Sequence, residues 1–349
     1  MSNTLQLAES DRVLVIAPHP DDESIACGGL LLAARDAGAA RRVVTLTDGD
    51  NNPWPQRWIE KRWRIDSTAR VRWGARRREE SHAAQEKLGV AAADRFFLGL
   101  PDTGLTALLM EGAHALLAPL REQIAAFQPT HLALPALADR HPDHSAAHIA
   151  VRLALRDKDP APQLLPYRVH GEDHTQAPLR IDLSETQRAI KRDAIASHHT
   201  QVTLSGKRFL AFAAPVEYYD EAITAPRVDH PLDIVLGPEQ GVDLRVRKHD
   251  LRGDLQALIL LTDEKGETGN LRLGLDRSGG RVDVHDMRHG DRVVAVAQWH
   301  DEQETWTLSL QLPDSLRARA GFAKLARRRP GLVVFDRYGW QIVGLNKNR

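Results

Sequence analysis

The sequence has few of the features that mark a secreted, membrane-spanning or nucleic-acid-binding protein. Cys27 is its single cysteine, so no disulfide forms within the chain and any metal must be held mainly by histidine and carboxylates. Lys plus Arg balance Asp plus Glu at 47 each, which argues against a broadly basic surface for nucleic acid. No apolar run reaches membrane-spanning length, and the N-terminus lacks a signal-peptide pattern. We expect a cytoplasmic protein with neither a transmembrane segment nor a nucleic-acid partner.

Short apolar runs alternate with helical patterns in the first part of the chain. Residues 12–17 form an unbroken apolar run typical of a strand that is covered on both faces, and similar runs recur at 42–47, 95–98 and 131–135. Segments with helical spacing separate these runs. This order predicts an α/β fold, a Rossmann-like parallel sheet flanked by helices.

The pattern changes near Ala225. At 349 residues the chain is long enough for two domains, each with its own core. Beyond Ala225, alternating runs separated by Gly and Asp predict an all-β, sandwich-like domain, with one helix at residues 316–327. We therefore expect an α/β domain at residues 1–225 and a β-rich domain of unknown role at 226–349.

Polar turns follow three of the predicted strands, at the sheet edge where ligands bind in open parallel sheets. The first turn, residues 19–23, reads His-Pro-Asp-Asp-Glu, and the second turn, residues 139–144, reads Asp-Arg-His-Pro-Asp-His. The third position is Asp102, which follows the strand that ends at Leu100.

These turns have the composition of a zinc site. A catalytic zinc takes three ligands drawn from His, Asp and Glu and keeps one position for water. A carboxylate that is not bound to the metal can take a proton from that water. Such residues also cap helices, and Asp22 or Ser24 could simply begin the next helix. Two turns of matching composition favour the metal site.

Both turns resemble the hallmark motifs of the PIG-L or LmbE-like N-acetylglucosaminyl deacetylases. The first resembles the family's Ala-His-Pro-Asp-Asp-Glu motif, with Pro18 in place of alanine, and the second its His-x-x-Asp-His motif. The resemblance extends from about Val13 to Tyr219, with Thr200 in place of a serine, and leaves the β-rich remainder uncovered. Further similar stretches lie at residues 47–50, 77–89, 98–102 and 191–201.

The resemblance implies a role for each motif residue. His19, Asp22 and His144 would bind Zn²⁺, and Asp21 would be the general base. His141 would stabilise the oxyanion on the leaving-group side, and Asp143 would orient His141 or the turn.

Three further residues are candidates for substrate binding: Arg77 and Asp102, which resemble family positions that line the sugar site, and His198, near the end of a helix. Each also has an ordinary structural interpretation. Arg77 and Asp102 could form ion pairs at the ends of elements, and His198 could interact with the dipole at a helix end.

The activity implied is release of acetate from an N-acetylated amino sugar by a zinc-dependent hydrolase. Two alternatives remain: an amidase of the same fold acting on a thiol conjugate or another acyl amide, and a sugar-binding or scaffolding protein without catalysis.

Residues 51–78 are unusual because they hold four of the seven tryptophans and eight arginines. One interpretation is a lid that stacks on sugar rings and attracts an anionic group, so the sugar would be phosphate-linked. The other is an amphipathic helix at residues 55–65 that packs its tryptophan face on the domain. The sequence leaves both open.

Overall fold

The computed structural model describes residues 3–171, 177–237, 241–249, 251–288, 290–312, 318–329 and 335–345. The chain divides into two compact units. The first comprises residues 1–105, 118–139 and 157–222, and the second comprises residues 106–117, 140–156 and 223–349. The second unit therefore includes two segments from the first half of the chain, and the domain boundary expected near Ala225 stays a prediction.

Among its described residues, the first unit contains eight strands: β1 (Asn3–Thr4), β2 (Arg12–Ala17), β3 (Ala40–Thr47), β4 (Arg95–Leu100), β5 (His131–Pro135), β6 (Gln163–Tyr167), β7 (Leu179–Asp182) and β8 (Val216–Tyr219). Five of them form an all-parallel sheet in the order β4-β3-β2-β5-β6. The chain reverses its direction of winding between β2 and β5, which is the Rossmann-like arrangement. The predicted α/β fold is confirmed. A small sheet of order β1-β7-β8 completes this unit.

The helices are α1 (Asp22–Ile25), α2 (Gly28–Asp36), α3 (Pro53–Glu60), α4 (Ser67–Lys87), α5 (Leu105–Met110), α6 (His114–Phe127), α7 (Pro142–Ala154), α8 (Glu185–Ala196) and α9 (His199–Leu210). Among the described residues, none of them has the length and apolar composition needed to cross a bilayer.

The core of the first unit forms because β2 is apolar on both faces. Residues 13–17 are fully buried, and Val13 and Val15 pack in one cluster with Leu30 and Leu31 of α2. Burial on both faces places the backbone of β2 in the centre of the sheet, so the turn that follows Ala17 is held on a rigid element.

The second unit is built mainly of antiparallel strands: β9 (Leu232–Leu236), β10 (Gly241–Arg247), β11 (Leu255–Asp263), β12 (Thr268–Gly274), β13 (Arg281–Asp286), β14 (Arg292–Gln298), β15 (His300–Asp301), β16 (Thr305–Gln311), β17 (Ala318–Arg327), β18 (Trp340–Ile342) and β19 (Gly344–Leu345). They form a sheet of order β15-β16-β10-β9-β19 and a sheet of order β14-β13-β12-β11-β17-β18. Buried residues of both sheets, such as Val242 and Ile259, share one core. The predicted sandwich-like β region is confirmed.

The helix predicted at residues 316–327 is wrong within the described residues. Residues 318–327 form β17, which pairs antiparallel with β11 from Leu255↔Arg327 to Asp263↔Ala318. Alanine, leucine and arginine favour a helix in isolation. Here pairing with β11 buries Ala323 and Leu325 in the core, and this tertiary interaction outweighs the local propensity.

The tryptophan face of α3 is exposed, so the interpretation of residues 55–65 as a helix with a packed tryptophan face is wrong. Trp54 and Trp58 point to solvent, while Pro55 and Gln56 are buried. The Gln56 side chain donates to the backbone carbonyl of Ala69 (2.7 Å), which ties the polar side of the helix to α4. A polar residue therefore occupies the buried side of the helix.

Candidate active site

The first turn follows β2 directly and is buried. His19, Asp21 and Asp22 are each less than a tenth exposed. The Asp22 carboxylate accepts a hydrogen bond from the His19 backbone N–H (2.9 Å), and the same oxygen lies 3.3 Å from His19 Nδ1. Asp22 is the first residue of α1, but the N-cap is Asp21 and no described side chain caps this helix, so the interpretation of Asp22 as an N-cap is wrong. The Asp22 side chain faces an imidazole rather than the free N–H groups of the helix.

His19 has a carboxylate beside each ring nitrogen. Asp22 lies near Nδ1, and Asp102 Oδ1 lies 3.3 Å from Nε2. Asp102 follows β4, and its other oxygen accepts from the Asn51 backbone N–H (2.6 Å). Burial alone would raise the pKa of Asp102, but His19 and the Asn51 N–H hold it below its ordinary value.

This donor set fits a divalent metal. The His19 imidazole and the carboxylate at one of its ring nitrogens supply nitrogen and oxygen ligands that zinc accepts, and the carboxylate at the other ring nitrogen can orient the ring. A cation at this place would also neutralise the buried carboxylates. A buried negative charge without a compensating positive charge costs free energy.

Asp21 has a backbone conformation that residues with side chains rarely adopt, with φ 152° and ψ −28°. Its carboxylate lies 3.1 Å from Arg77 Nη2. Burial raises the pKa of Asp21 to about 6, and the charge of Arg77 limits the rise. A carboxylate with a pKa near neutrality suits a general base.

Arg77 is buried on α4 and anchors the turn. Its guanidinium donates to the backbone carbonyls of Gly49 (2.7 Å) and Pro20 (2.9 Å) as well as to Asp21. Gly49 has a positive φ of 59°, and a Cβ at this position would lie 1.8 Å from Arg77 Nη1. The predicted role of Arg77 in substrate binding stays a prediction.

Glu23 stabilises the first turn through hydrogen bonds. It is fully buried, and its carboxylate accepts from the Asp21 backbone N–H (3.0 Å) and from the Ser24 (3.2 Å) and Ser81 (2.9 Å) hydroxyls. Sequence reasoning gave Glu23 a supporting role but had no signal for Ser81. The partner is found only when α4 is placed against the turn.

His198 lies in the same network. It is buried, and its Nε2 lies 3.0 Å from Ser24 Oγ and 3.5 Å from Glu23 Oε1. Its predicted contact with substrate stays a prediction. Close to it, the Glu80 carboxylate accepts from the Thr200 N–H (3.1 Å) and hydroxyl (2.6 Å) and fixes the start of α9.

The second turn begins α7, in the second unit. His141 caps the helix, because its Nδ1 accepts from the Asp143 backbone N–H (3.2 Å). Nε2 is then the nitrogen that carries the ring proton. His144 is fully buried, and its ring centroid lies 5.1 Å from that of His141. Asp143 is buried beside them, and its backbone rather than its carboxylate makes this contact with His141.

Two residues from the C-terminal part of the chain contact the second turn. The Asp336 backbone N–H donates to the carbonyl of Arg140 (2.8 Å), and the Phe335 ring meets the His141 ring edge-on with centroids 6.0 Å apart. Sequence reasoning missed both residues. They lie in the β-rich region and carry no motif.

A comparison with protein families supports a hydrolytic enzyme of the N-deacetylase class. Residues 14–155 match the family model described as "PIG-L: GlcNAc-PI de-N-acetylase". The chain thus contains a PIG-L family domain at residues 14–155, which confirms the resemblance over these residues, while its extension to Tyr219 stays a prediction.

Solved structures with similar folds include two proteins at low identity. A conserved protein from Thermus thermophilus is 22% identical, with a TM-score of 0.46 over 63% of this chain and 98% of its own. The N,N'-diacetylchitobiose deacetylase from Pyrococcus horikoshii is 20% identical, with a TM-score of 0.46 over 61% and 82%. No curated protein sequence matches the chain.

Proposed function

We propose that this protein is a zinc-dependent deacetylase that hydrolyses the N-acetyl amide of an acetamido sugar and releases acetate. One observation carries the proposal. The buried His19 has carboxylates beside both ring nitrogens, and an adjacent acid, Asp21, is held apart from that set by Arg77. Within one turn of a PIG-L family domain, His19 and Asp22 offer metal ligands and Asp21 offers a separate base.

His19, Asp22 and His144 would hold the metal. A bound zinc ion supplies Lewis acidity and brings the pKa of its water to near neutrality. Asp21 then accepts a proton from the attacking water and later delivers it to the departing amine. Arg77 and Glu23 keep Asp21 in place, since one holds its carboxylate and the other its backbone N–H. His141 would donate from Nε2 to the oxygen that becomes negative in the tetrahedral intermediate.

The test combines metal analysis with substrate turnover. Purified protein is analysed for bound zinc and then incubated with a panel of N-acetylated sugars, with and without a phosphate-linked aglycone, while acetate is measured. We expect zinc bound in stoichiometric amount and acetate released from at least one acetamido sugar. Removal of the metal with a chelator should abolish turnover, and adding zinc back should restore it.

Asp21→Asn is the matched control, because it keeps the size of the side chain and removes the base. Zinc with cleavage of some other amide, but no acetate from any sugar, would replace the proposal with the amidase. Sugar affinity that is equal in the parent and in Asp21→Asn, with no turnover in either, would indicate a binding protein instead.

A further inference from the structure

The segment that contains α3 turns its tryptophans away from the protein. Trp54, Trp58 and Trp63 are 61%, 67% and 77% exposed, and we call these three residues the tryptophan patch. Trp54 and Trp58 share one face of α3 because they are four residues apart. The Arg57 guanidinium lies over both the Trp54 ring (5.1 Å) and the Trp63 ring (5.2 Å), which makes the patch continuous. Single exposed apolar residues are ordinary, whereas three adjoining tryptophans indicate an interaction surface.

The patch is also positively charged. Lys61, Arg62 and Arg64 are exposed and make no ion pair among the residues that the structure describes. The acid within this stretch, Glu60, is paired with Arg72 (2.7 Å). The exposed cations are therefore available to an anionic partner.

The hydrogen-bonding side chains beside the patch are already engaged. Asn52 caps α3 by accepting from the Trp54 N–H (3.3 Å), and Asn51 donates to the Thr103 hydroxyl (2.6 Å). Gln56 is buried against Ala69. A surface that recognises soluble glycans needs placed polar groups for the hydroxyls, and the group described over the Trp54 and Trp63 rings is the cation Arg57.

We propose that the tryptophan patch, together with Lys61, Arg62 and Arg64, binds the surface of an anionic phospholipid membrane. Tryptophan rings sit at the level of the lipid head groups, where the apolar body is buried and the indole N–H stays hydrated. Each Lys or Arg close to a negatively charged leaflet adds about 1 kcal/mol, or about a fivefold gain in binding. Three free cations beside three exposed tryptophans combine both attractions on one short segment.

The tryptophan patch lies close in the chain to the part of the candidate site that contains the first turn. The Asn51 N–H donates to Asp102, whose carboxylate faces His19 (3.3 Å), and α3 begins at the second residue after Asn51. If the proposed function holds, membrane binding would bring an acetamido sugar carried on a lipid to this edge of the sheet. The membrane binding itself does not depend on that function.

The test uses the full chain and two kinds of vesicle: phosphatidylcholine alone, and phosphatidylcholine mixed with phosphatidylglycerol. Binding is measured by co-sedimentation at low and high salt, and the depth of the indoles by quenching with brominated lipid. We expect binding to the anionic vesicles, weakened by salt. The combined change Trp54→Ser, Trp58→Ser and Trp63→Ser should reduce it by more than about tenfold. The combined change Lys61→Ser, Arg62→Ser and Arg64→Ser should reduce it by up to about a hundredfold.

The control is Val293→Ser with Val296→Ser, which removes two half-exposed apolar side chains on β14. It should bind like the parent. Equal binding of the parent to both vesicle types, binding unchanged by the tryptophan changes, or indoles that brominated lipid does not quench would each overturn the proposal. Binding to a soluble sulfated polysaccharide, with no vesicle binding, would show a glycan surface instead. Because no turnover is measured, failure here is distinct from failure of the proposed deacetylase activity.

Discussion

The two polar turns are supported by different parts of the molecule. The first turn is held by side chains of the α/β region, namely Arg77 and Ser81 of α4 and its own Glu23. The second turn is contacted by Phe335 and Asp336, which lie far outside the residues that match the family model. The first turn is thus supported by residues within the family domain, whereas the geometry of the second depends on a region that the family motifs do not cover.

The largest expected effects separate the metal from the base. His144→Ala should lose most of its zinc and all measurable acetate release, because a ligand from the second turn is removed. Asp21→Asn should keep its zinc and slow turnover by about a hundredfold to ten-thousandfold, because only the proton acceptor is changed. Zinc content and acetate release of both variants are measured side by side. Loss of zinc to the same extent in both would contradict the division between ligand and base.

A smaller but substantial effect is expected at Asp336. This residue pairs with Lys324, which is 2% exposed and also lies over the Trp340 ring (5.5 Å). Asp336→Ala should lower the free energy of unfolding by roughly 3 kcal/mol, because a buried cation loses its partner. The substitution keeps the Asp336 backbone N–H that donates to Arg140, so zinc affinity should fall only to the extent that loss of the Lys324 pair displaces this backbone.

Glu264→Ala is the matched control for Asp336→Ala. Its pair with Arg319 is exposed on both sides, so its loss should cost less than about 1 kcal/mol and leave zinc affinity unchanged. Unfolding in denaturant and zinc titration give the two readouts. If zinc affinity is the same in the two variants, the pair of Lys324 and Asp336 does not position the backbone that contacts the second turn.

The contrast between the turns also explains how much the sequence could predict. Residues 12–17 predicted the central strand because a short unbroken apolar run is typical of a strand buried on both faces. The turn after this strand was recognisable from its composition. The β-rich region was harder, because its strands are defined by partners that lie far away in the chain. Residues 318–327 have the local composition of a helix, and only their pairing with β11 makes them a strand.

The supporting residues could not be predicted for the same reason. Ser81 is an ordinary helix residue until α4 is packed beneath Glu23, and Phe335 has no motif to mark it. The packed tryptophan face, one of two interpretations of this segment, was wrong: composition favours burial of large apolar side chains, but Trp54 and Trp58 are 61% and 67% exposed.

Glu23 tests the support of the first turn. Glu23→Ala leaves the Asp21 N–H and two hydroxyls without their acceptor, which should cost about 1–3 kcal/mol of stability. Asp21 would then be less firmly held, and turnover should fall by about a hundredfold or less while zinc stays bound. Glu79→Ala, on the exposed face of α4, should change stability by no more than about 0.5 kcal/mol. A Glu23 variant with the parent's turnover would show that the unusual backbone of Asp21 needs no such support.

The smallest expected effect is at Phe335, which meets His141 only through a ring edge. Phe335→Leu keeps an apolar side chain and removes the aromatic contact, worth about 0.5–1.5 kcal/mol. Because His141 would act as a donor to the oxyanion, its loss of orientation should lower kcat by about tenfold or less and leave zinc content and KM near the parent values. Phe335→Tyr restores the ring and should recover the rate. A larger KM with unchanged kcat would instead place Phe335 against the substrate, and the second turn would then be supported by Asp336 alone.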